Sequence, residues 1–336
     1  MKVLVLGGTG HISTSIVRLL LRKKHVVTCF NRGLAGPTPP GVRLIRGDRL
    51  QRSAFEAQMK NEQFDAVIDM ICFTEADARS SLRAFARVEH FVHCSTVCTY
   101  GVDYDTLPVS EAHPLRPTTD YGRGKVAADR VFMDAHRQEG FPVTILKPST
   151  TYGPQMGLLR QLAIDFSWID RIRKGKPILV VGDGNARHQF MHVDDAALGF
   201  VGVLDKPQCI GKIYNLVNHG FVTWADYHRK AMKVLGREVE LVGVALADLV
   251  AIDEKRFEIC RQIFAHNTYY SAERIFHDVA EFRPQVSLEV GMQQVIRALD
   301  RANRIPNCED EDWEDRIVGA QRQIRSVGMR STEQRR

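Results

Sequence analysis

Long hydrophobic runs are missing from this sequence. No stretch of its 336 residues approaches the roughly 20 consecutive apolar residues that a membrane-spanning helix needs. A basic segment followed by an apolar signal core is also missing at the start, where a strand-like run begins instead. We therefore expect a cytoplasmic protein that makes no use of a membrane.

Paired cysteines are missing as well. The 7 cysteines stand singly or inside strand-like apolar runs, without the spacing of metal ligands. We expect reduced thiols and no metal site.

The chain has little net charge before its last 21 residues. From Arg316 to Arg336 six arginines stand against one acid, Glu333, so most of the formal charge of +6 lies there, directly after an acidic run at 309–315. Opposite charge blocks at a terminus are typical of a solvated, mobile appendage. The net charge is thus poor support for nucleic-acid binding, and we do not expect a nucleic acid as partner.

The opening stretch is the most informative part of the chain. Val3–Leu6 has no polar residue, as in a strand buried on both faces of a parallel sheet, and a glycine-rich turn, a helical pattern over 13–24 and a second strand over 26–30 follow. In such a unit Gly7 permits the tight turn and Gly10 lets the backbone approach a pyrophosphate at the helix N-terminus. The stretch predicts a dinucleotide-binding turn rather than a turn without a ligand.

Two residues typical of such turns are replaced. Ser13 stands where a third glycine is usual and is small enough to serve, and Asn31 stands where an acid usually binds the ribose hydroxyls. Arg32 can pair with a 2′-phosphate, which favours NADP while NAD remains open. Asp48, at the end of a third strand, can bond the adenine amine.

Strands and helices continue to alternate up to a fifth strand at 91–94. This order predicts an α/β fold, a Rossmann-type doubly wound parallel sheet with a smaller α/β substrate-binding domain. The predicted divisions are residues 1–153 plus 188–218 for the dinucleotide-binding domain, 154–187 plus 219–308 for the substrate-binding domain, and 309–336 for a charged, mobile tail.

Candidate catalytic residues follow the fifth strand. Tyr121 and Lys125 are four residues apart at the start of a predicted helix, so they share a face, and an ammonium near a phenol favours the phenolate and lowers its pKa. Tyr121 can then act as a general base near neutral pH. A hydroxyl from Ser95 or Thr96, at the strand end, can hold the same substrate oxygen.

The whole order of motifs resembles the extended short-chain dehydrogenase/reductase family of NAD(P)-dependent nucleotide-sugar epimerases and dehydratases. The matching segments are Gly7–Ile12, Ser95–Gly101, Tyr121–Lys125, Lys147–Pro154, Gly182–Gly184, Arg187–Asp195 and Tyr214–Asn215. The fragments Asn31–Gly33 and Gly47–Arg49 further resemble an atypical branch that contains chloroplast stem-loop RNA-binding proteins.

This resemblance implies a role for each matched residue. The implied catalytic residues are Thr96, Tyr121, Lys125 and Cys98. The implied cofactor-binding residues are Gly7, Thr9, Gly10, His11, Ile12, Asn31, Arg32, Asp48, Arg49, Met70, Lys125, Pro148 and Thr150. The implied substrate-binding residues are Ser95, Thr96, Thr150 and Arg187, whose guanidinium suits a diphosphate. A homodimer is implied as well.

The chain departs from the family pattern in two places. Lys147–Thr150 reads Lys-Pro-Ser-Thr where relatives usually have Arg-Pro-x-Asn, and Val97-Cys98 replaces the Asp-Glu of ordinary 4,6-dehydratases. Cys98 is either an acid/base beside a transient ketone or inert filling near a strand end.

The expected function is that of an NAD(P)-dependent nucleotide-sugar epimerase or dehydratase, which oxidises a sugar hydroxyl transiently through Tyr121. Two alternatives stay open: a NADPH-dependent sugar-nucleotide or ketone reductase, and an RNA-binding protein that has retained the fold.

Overall fold

The computed structural model describes residues 1–34, 36 and 38–333. The strands are β1 (Lys2–Leu6), β2 (Val26–Asn31), β3 (Arg43–Arg46), β4 (Ala66–Asp69), β5 (His90–Cys94), β6 (Val143–Pro148), β7 (Thr150–Tyr152), β8 (Ile178–Val181), β9 (Arg187–His188), β10 (Phe190–His192), β11 (Ile213–Leu216), β12 (Val222–Thr223) and β13 (Leu241–Val244). The α-helices are α1 (Ser13–Arg22), α2 (Arg52–Lys60), α3 (Glu75–Ala84), α4 (Asp120–Glu139), α5 (Ser167–Lys174), α6 (Val193–Gly202), α7 (Trp224–Leu235), α8 (Leu246–Ile252), α9 (Glu273–Asp278), α10 (Leu288–Arg301) and α11 (Trp313–Glu333).

A parallel sheet in the order β11-β6-β5-β4-β1-β2-β3 organises the first part of the chain. The register pairs Leu4 of β1 with Thr28 of β2 on one side and with Val67 of β4 on the other. The strand order reverses between β1 and β4, and such a switch point is where open α/β sheets bind ligands. The predicted fold class is confirmed.

Two cores cover the faces of this sheet. Val3 and Val5 of β1 lie in a core with apolar residues of α1 and α6, whereas Leu4 and Leu6 lie in a core with residues of α2, α3 and α4. Because successive strand side chains point to opposite faces, the uninterrupted apolar run of β1 is what a strand covered on both sides requires.

The chain divides into two compact units. The first comprises Met1–Thr151, Gln189–Gly220 and Tyr269–Val286, and the second Tyr152–His188, Phe221–Thr268 and Ser287–Arg336. The main difference from the predicted division is the segment 269–286, which we expected in the second domain. It belongs to the first because Ile275, Val279 and Phe282 are buried in the core formed with α1 and α6.

The charged C-terminal segment is not a mobile tail over its first half. It forms α11, in which Ile317 and Val318 are buried in a core of the second unit with Leu179 and Val242. Glu314 is buried as well and accepts hydrogen bonds from Arg160. The acidic run therefore contains residues with structural partners, which its charge pattern did not indicate; residues 334–336 lie outside the described part of the chain.

Among the described residues, no helix has both the length and the apolar character that crossing a membrane requires.

Candidate active site

The turn after β1 needs a glycine at its first position. Gly7 has a φ of +80°, and its amide donates to the Phe30 carbonyl at 2.9 Å, which ties the end of β1 to β2. A Cβ here would lie 2.5 Å from Ile71 Cγ2. Only glycine meets both the positive φ and this close approach.

Ser13 fills the place of the missing third glycine with hydrogen bonds. Its buried hydroxyl donates to the Gly7 carbonyl and accepts from the Gly10 amide at 2.8 Å. The residue before it, Ile12, is the N-cap of α1 and has no side-chain acceptor for the helix amides. The helix N-terminus, with its positive dipole end, is therefore left for a ligand.

A cleft of about 350 Å³ opens at the carboxyl ends of β1, β2, β3 and β4. Its lining residues are Gly7, Thr9, Gly10, Phe30, Asn31, Arg32, Leu34, Gly47, Asp48, Arg49, Leu50, Ile71, Phe73 and Asp77. The structure thus brings the predicted residues Thr9, Asn31, Arg32 and Asp48 into one cleft. A glycine turn, a helix N-terminus and a cleft at the switch point fit a dinucleotide.

Polar groups at the β2 end of the cleft are arranged around Gly33. Asn31 Oδ1 accepts from the Gly33 amide at 2.7 Å, and a Cβ on Gly33 would lie 3.3 Å from Arg46 Nε. Arg32 and Arg46 are both exposed. Sequence reasoning missed Arg46, because it comes from β3 and only the parallel pairing of β2 with β3 places it here.

Arg49, a predicted cofactor-binding residue, lines the cleft, but its side chain is bonded within the protein. Its guanidinium is buried and donates to both oxygens of Asp69 at 2.9 and 2.8 Å, and to the Asp77 carbonyl and Ser81 Oγ. These bonds tie the end of β4 to α3. The charge is thus engaged within the protein rather than offered to a cofactor.

The remaining predicted cofactor residues do not line this cleft. Ile12 and Met70 pack against the core with α1 and α6. Burial, opposed by a backbone hydrogen bond of Thr151, lowers the pKa of His11 to about 4, so its imidazole is neutral at neutral pH. Pro148 ends β6 and Thr150 begins β7.

Tyr121 and Lys125 lie in the first turns of α4, which Thr119 caps by accepting from the Gly122 amide at 3.0 Å. The Lys125 ammonium is buried and donates to the carbonyls of Cys72 at 2.8 Å and Cys94 at 2.6 Å. It lies 5.8 Å from the centroid of the Tyr121 ring. The i, i+4 prediction therefore describes their placement correctly.

The predicted effect on the Tyr121 pKa is not seen. Although 48% of this residue is exposed, burial around the phenol raises its pKa, the Cys94 and Cys98 thiols add to the rise, and the nearby Thr96 side chain opposes it. Lys125 is held by two backbone carbonyls instead of by the phenol. The influence of Thr96 on this pKa places its side chain near the phenol.

Ser95 differs from its predicted role as a substrate ligand. Its buried hydroxyl donates to Asp129 Oδ2 at 2.9 Å, so it faces the protein interior. Cys98 is partly buried and its amide donates to Thr96 Oγ1 at 3.2 Å. Burial raises the pKa of the Cys98 thiol, while a hydrogen bond with Thr96 lowers it less, so the thiol is protonated at neutral pH.

An aromatic residue that sequence reasoning missed connects the cleft with Tyr121. Phe73 lines the cleft, and its ring centroid lies 4.7 Å from Lys125 Nζ and 6.3 Å from the Tyr121 ring. Gly124 permits this approach, because a Cβ there would lie 2.4 Å from the Phe73 carbonyl oxygen. Arg187 lies in the second unit, where its exposed guanidinium is 4.8 Å from the Phe221 ring.

Comparison with known proteins agrees with this geometry. The sequence profile of the NAD dependent epimerase/dehydratase family matches residues 3–216. The chain is 31% identical over 245 residues to the 2'-dehydrokanamycin reductase of Streptomyces kanamyceticus, covering 73% of this chain and 69% of that protein. This chain belongs to the NAD-dependent epimerase/dehydratase family. It is thus an NAD-dependent enzyme of the short-chain dehydrogenase/reductase type.

Two further matches cover more of this family member. The chloroplast stem-loop binding protein of 41 kDa b from Arabidopsis thaliana is 26% identical over 306 residues, covering 87% of this chain and 77% of that protein. The crystal structure of UDP-glucuronic acid 4-epimerase from Bacillus cereus, in complex with UDP-glucuronic acid and NAD, superposes with a TM-score of 0.70. It is 21% identical and covers 90% of this chain and 100% of that one, which shows the shared fold.

Proposed function

We propose that this enzyme oxidises a hydroxyl of a nucleotide-diphosphate sugar transiently, with Tyr121 as acid/base, and returns the hydride after epimerisation or elimination. The observation that carries the proposal is the placement of Tyr121 5.8 Å from the buried Lys125 ammonium, which donates to the carbonyl of Cys94 at the end of β5, two residues before Thr96. A phenol and a hydroxyl near one another can hold and deprotonate an alcohol that binds between them.

The residues of the cleft fit a dinucleotide. Gly7, Gly10 and the N-terminus of α1 would hold the pyrophosphate, Asn31 the adenosine ribose, and Lys125 the nicotinamide ribose through its remaining N–H. The chemistry that a bound nicotinamide supplies is hydride exchange with a carbinol carbon and a positive charge beside the phenol. Beside that charge, the Tyr121 phenol would have a lower pKa than burial alone gives it.

Cys98 has a narrower role in this proposal than the sequence allowed. Its raised pKa keeps the thiol protonated, so it suits the return of a proton to the carbon beside a ketone better than the removal of one. Thr96, rather than the interior-facing Ser95, holds the sugar hydroxyl.

The preferred dinucleotide in this proposal is NADP. No acid follows β2 in the sequence, and the exposed cations Arg32 and Arg46 flank Gly33, where the adenosine ribose would lie. A guanidinium pair suits a 2′-phosphate, whereas an acid would repel it.

The substrate class is inferred from relatives. UDP-glucuronic acid is bound in the B. cereus epimerase structure, and a dTDP-glucose 4,6-dehydratase from Actinoplanes is 23% identical over 90% of this chain. Arg187, exposed in the second unit, is the candidate for the diphosphate. We also expect a homodimer formed through α3 and α4, which the molar mass from light scattering will test.

A reductase is the second candidate, because the relative at 31% identity is named 2'-dehydrokanamycin reductase. That reaction also needs a phenol beside a bound carbonyl, but Tyr121 then gives a proton. Net consumption of NADPH distinguishes the two reactions, since an epimerase or dehydratase of this kind regains its cofactor in each turnover.

The deciding experiment identifies the dinucleotide by mass spectrometry and incubates the protein with UDP-, GDP- and dTDP-sugars. A product of unchanged mass indicates an epimerase, loss of water a dehydratase, and stoichiometric NADPH oxidation a reductase. If no dinucleotide binds and every sugar is returned unchanged, the proposal fails, and RNA binding becomes the hypothesis to test.

A further inference from the structure

A buried charge cluster lies one helical turn beyond the predicted catalytic lysine. Tyr121, Lys125 and Asp129 follow one another at four-residue intervals in α4, so they lie along one face of the helix. Asp129 is 3% exposed and Lys147, from β6, is 1% exposed. Neither residue touches the dinucleotide cleft or has a role in the chemistry described above.

The cluster is hydrogen-bonded to the segment on both sides of Thr96. Asp129 Oδ2 accepts from Lys147 Nζ at 2.6 Å and from Ser95 Oγ at 2.9 Å. Lys147 Nζ also donates to Thr99 Oγ1 at 2.7 Å. Thr99 Oγ1 in turn donates to the Thr96 carbonyl at 2.9 Å.

This arrangement fixes Thr96 relative to the helix that holds Tyr121. One branch runs from Asp129 to the preceding residue, Ser95, and the other runs through Lys147 and Thr99 to the backbone of Thr96 itself. Both branches start from Asp129 on the face of α4 that carries Tyr121. The hydroxyl groups of Thr96 and Tyr121, which would bind the substrate oxygen, are thus both held in place by α4.

Stability alone does not explain this buried cluster. A buried ion pair gives up hydration that its mutual attraction only partly restores, and apolar residues of similar size are often as stable. The groups that face Asp129 are the Lys147 ammonium, the Ser95 hydroxyl and the buried His93 ring, whose Nε2 lies 3.3 Å from Asp129 Oδ1. Because Asp129 and Lys147 both bond to the short segment 95–99, the network can fix the position of that segment.

We propose that Asp129 and Lys147 are positioning residues, which act through Ser95 and Thr99 to hold the Thr96 hydroxyl against Tyr121. The predicted effect on turnover rests on the proposed function, whereas the predicted effect on the structure does not. The placement of the 95–101 segment can be measured without any substrate.

The protein supplies a matched control. Asp278 also accepts hydrogen bonds from a lysine and a hydroxyl, namely Lys212 Nζ at 2.7 Å and Tyr214 Oη at 2.7 Å. It lies on α9, beside β11 at the edge of the sheet. Asp278→Asn therefore removes a comparable network that has no connection to Thr96.

The first test is amide hydrogen exchange of the full-length protein, read by mass spectrometry on peptides that cover 95–101. Asp129→Asn and Lys147→Met will speed exchange there on the order of 10-fold relative to wild type, while Asp278→Asn will not. Thr99→Val, which cuts one branch and keeps the ion pair, gives the same local effect if Asp129→Asn fails to fold. Equal exchange of this segment in Thr99→Val and wild type overturns the proposal.

The second test uses the nucleotide sugar that the panel identifies. Asp129→Asn and Thr99→Val will lower kcat on the order of 10- to 100-fold, with KM and the dinucleotide Kd within about twofold, and Lys147→Arg will restore most of kcat because it keeps the charge and the donors. A loss in Asp278→Asn equal to that in Asp129→Asn, or a loss confined to KM, contradicts positioning. If no sugar is turned over, the proposed function fails, and the exchange measurement still decides the placement of Thr96.

Discussion

Arg160 and Glu314 form a buried bidentate ion pair, with the two guanidinium nitrogens 2.8 and 2.6 Å from the two carboxylate oxygens. Arg171 Nε lies 3.5 Å from an oxygen of the same carboxylate. This pair joins α11 to the segment before α5, within the second unit. The C-terminal helix is thereby part of that unit's folded structure.

Removing the carboxylate leaves a buried cation without its partner. We expect Glu314→Ala to lower the free energy of unfolding of the second unit by about 3 to 5 kcal/mol. Glu309→Ala is the control, since the Lys174–Glu309 pair is solvent-exposed and exposed ion pairs contribute little to stability. Urea denaturation will measure the free energy of unfolding of both variants. Equal losses of stability would contradict a stabilising role for the buried Glu314 pair.

The Arg160–Glu314 pair could not be predicted from the sequence, because the pattern of charges does not show which charged side chains are buried. Glu314 is one acid in a run of six acids between 309 and 315, and its burial depends on Arg160 and Trp313, which only the fold brings together. The apolar positions Ile317 and Val318 were the available signal for an amphipathic helix. The parallel sheet, by contrast, was predictable because its strands are local apolar runs in alternation with helices.

The glycine at the first position of the turn can be tested against another glycine with the same backbone. Gly7 and Gly41 have φ values of +80° and +83°, but only a Cβ on Gly7 meets a neighbouring atom, whereas nothing lies within 4 Å of one on Gly41. Gly7→Ala will abolish dinucleotide binding in calorimetry. Gly41→Ala will cost about 1 kcal/mol of stability and leave binding intact, so weakened binding in both variants would contradict the steric argument.

The arginines at the β2 end of the cleft make the NADP preference testable. Arg32→Ala and Arg46→Ala will each weaken NADPH binding about 10-fold, which corresponds to the loss of one charge-assisted hydrogen bond. The Kd of NADH will change less than about twofold, because NADH lacks the 2′-phosphate. Fluorescence titration with both dinucleotides gives the ratio, and parallel losses for the two would rule out a 2′-phosphate site.

Sequence patterns predicted the placement of residues well where they lie within one helix or one turn. Tyr121 and Lys125 are fixed by helical spacing and Gly7 by its turn, so both features followed from local rules. The internal hydrogen bonds of Arg49 and Ser95 could not be predicted, because their partners, Asp69 and Asp129, come from other elements. Lys147 was visible only as a departure from a motif, not as the partner of Asp129.

The Asp129 carboxylate predicts a loss of stability in acid. Burial would raise its pKa, but Lys147 and His93 lower it to about 2, below the model-compound value of 3.8. A lowered pKa contributes stability that is present above the unfolded pKa and is lost as the pH falls through the folded one. The free energy of unfolding of wild type will thus fall by about 2 kcal/mol more than that of Asp129→Asn between pH 5 and pH 2. Parallel urea denaturation curves at the two pH values would contradict this assignment.

Tyr121→Phe tests the proposed acid/base and separates the two candidate reactions. The variant will lower turnover by a factor of about 100 to 10,000 while dinucleotide binding stays unchanged. Tyr214→Phe, which removes a hydroxyl bonded to Asp278 at the sheet edge, is the matched control.

Because the Tyr121 pKa is raised, the deprotonated phenol is the minor form at neutral pH. An enzyme that begins by oxidising an alcohol needs that form, so its rate will rise with pH through the neutral and alkaline range. A reductase needs the protonated phenol, so its rate will stay level there and fall only as the pH reaches the raised pKa. A rate that rises with pH equally in wild type and Tyr121→Phe would assign the titrating group to another residue.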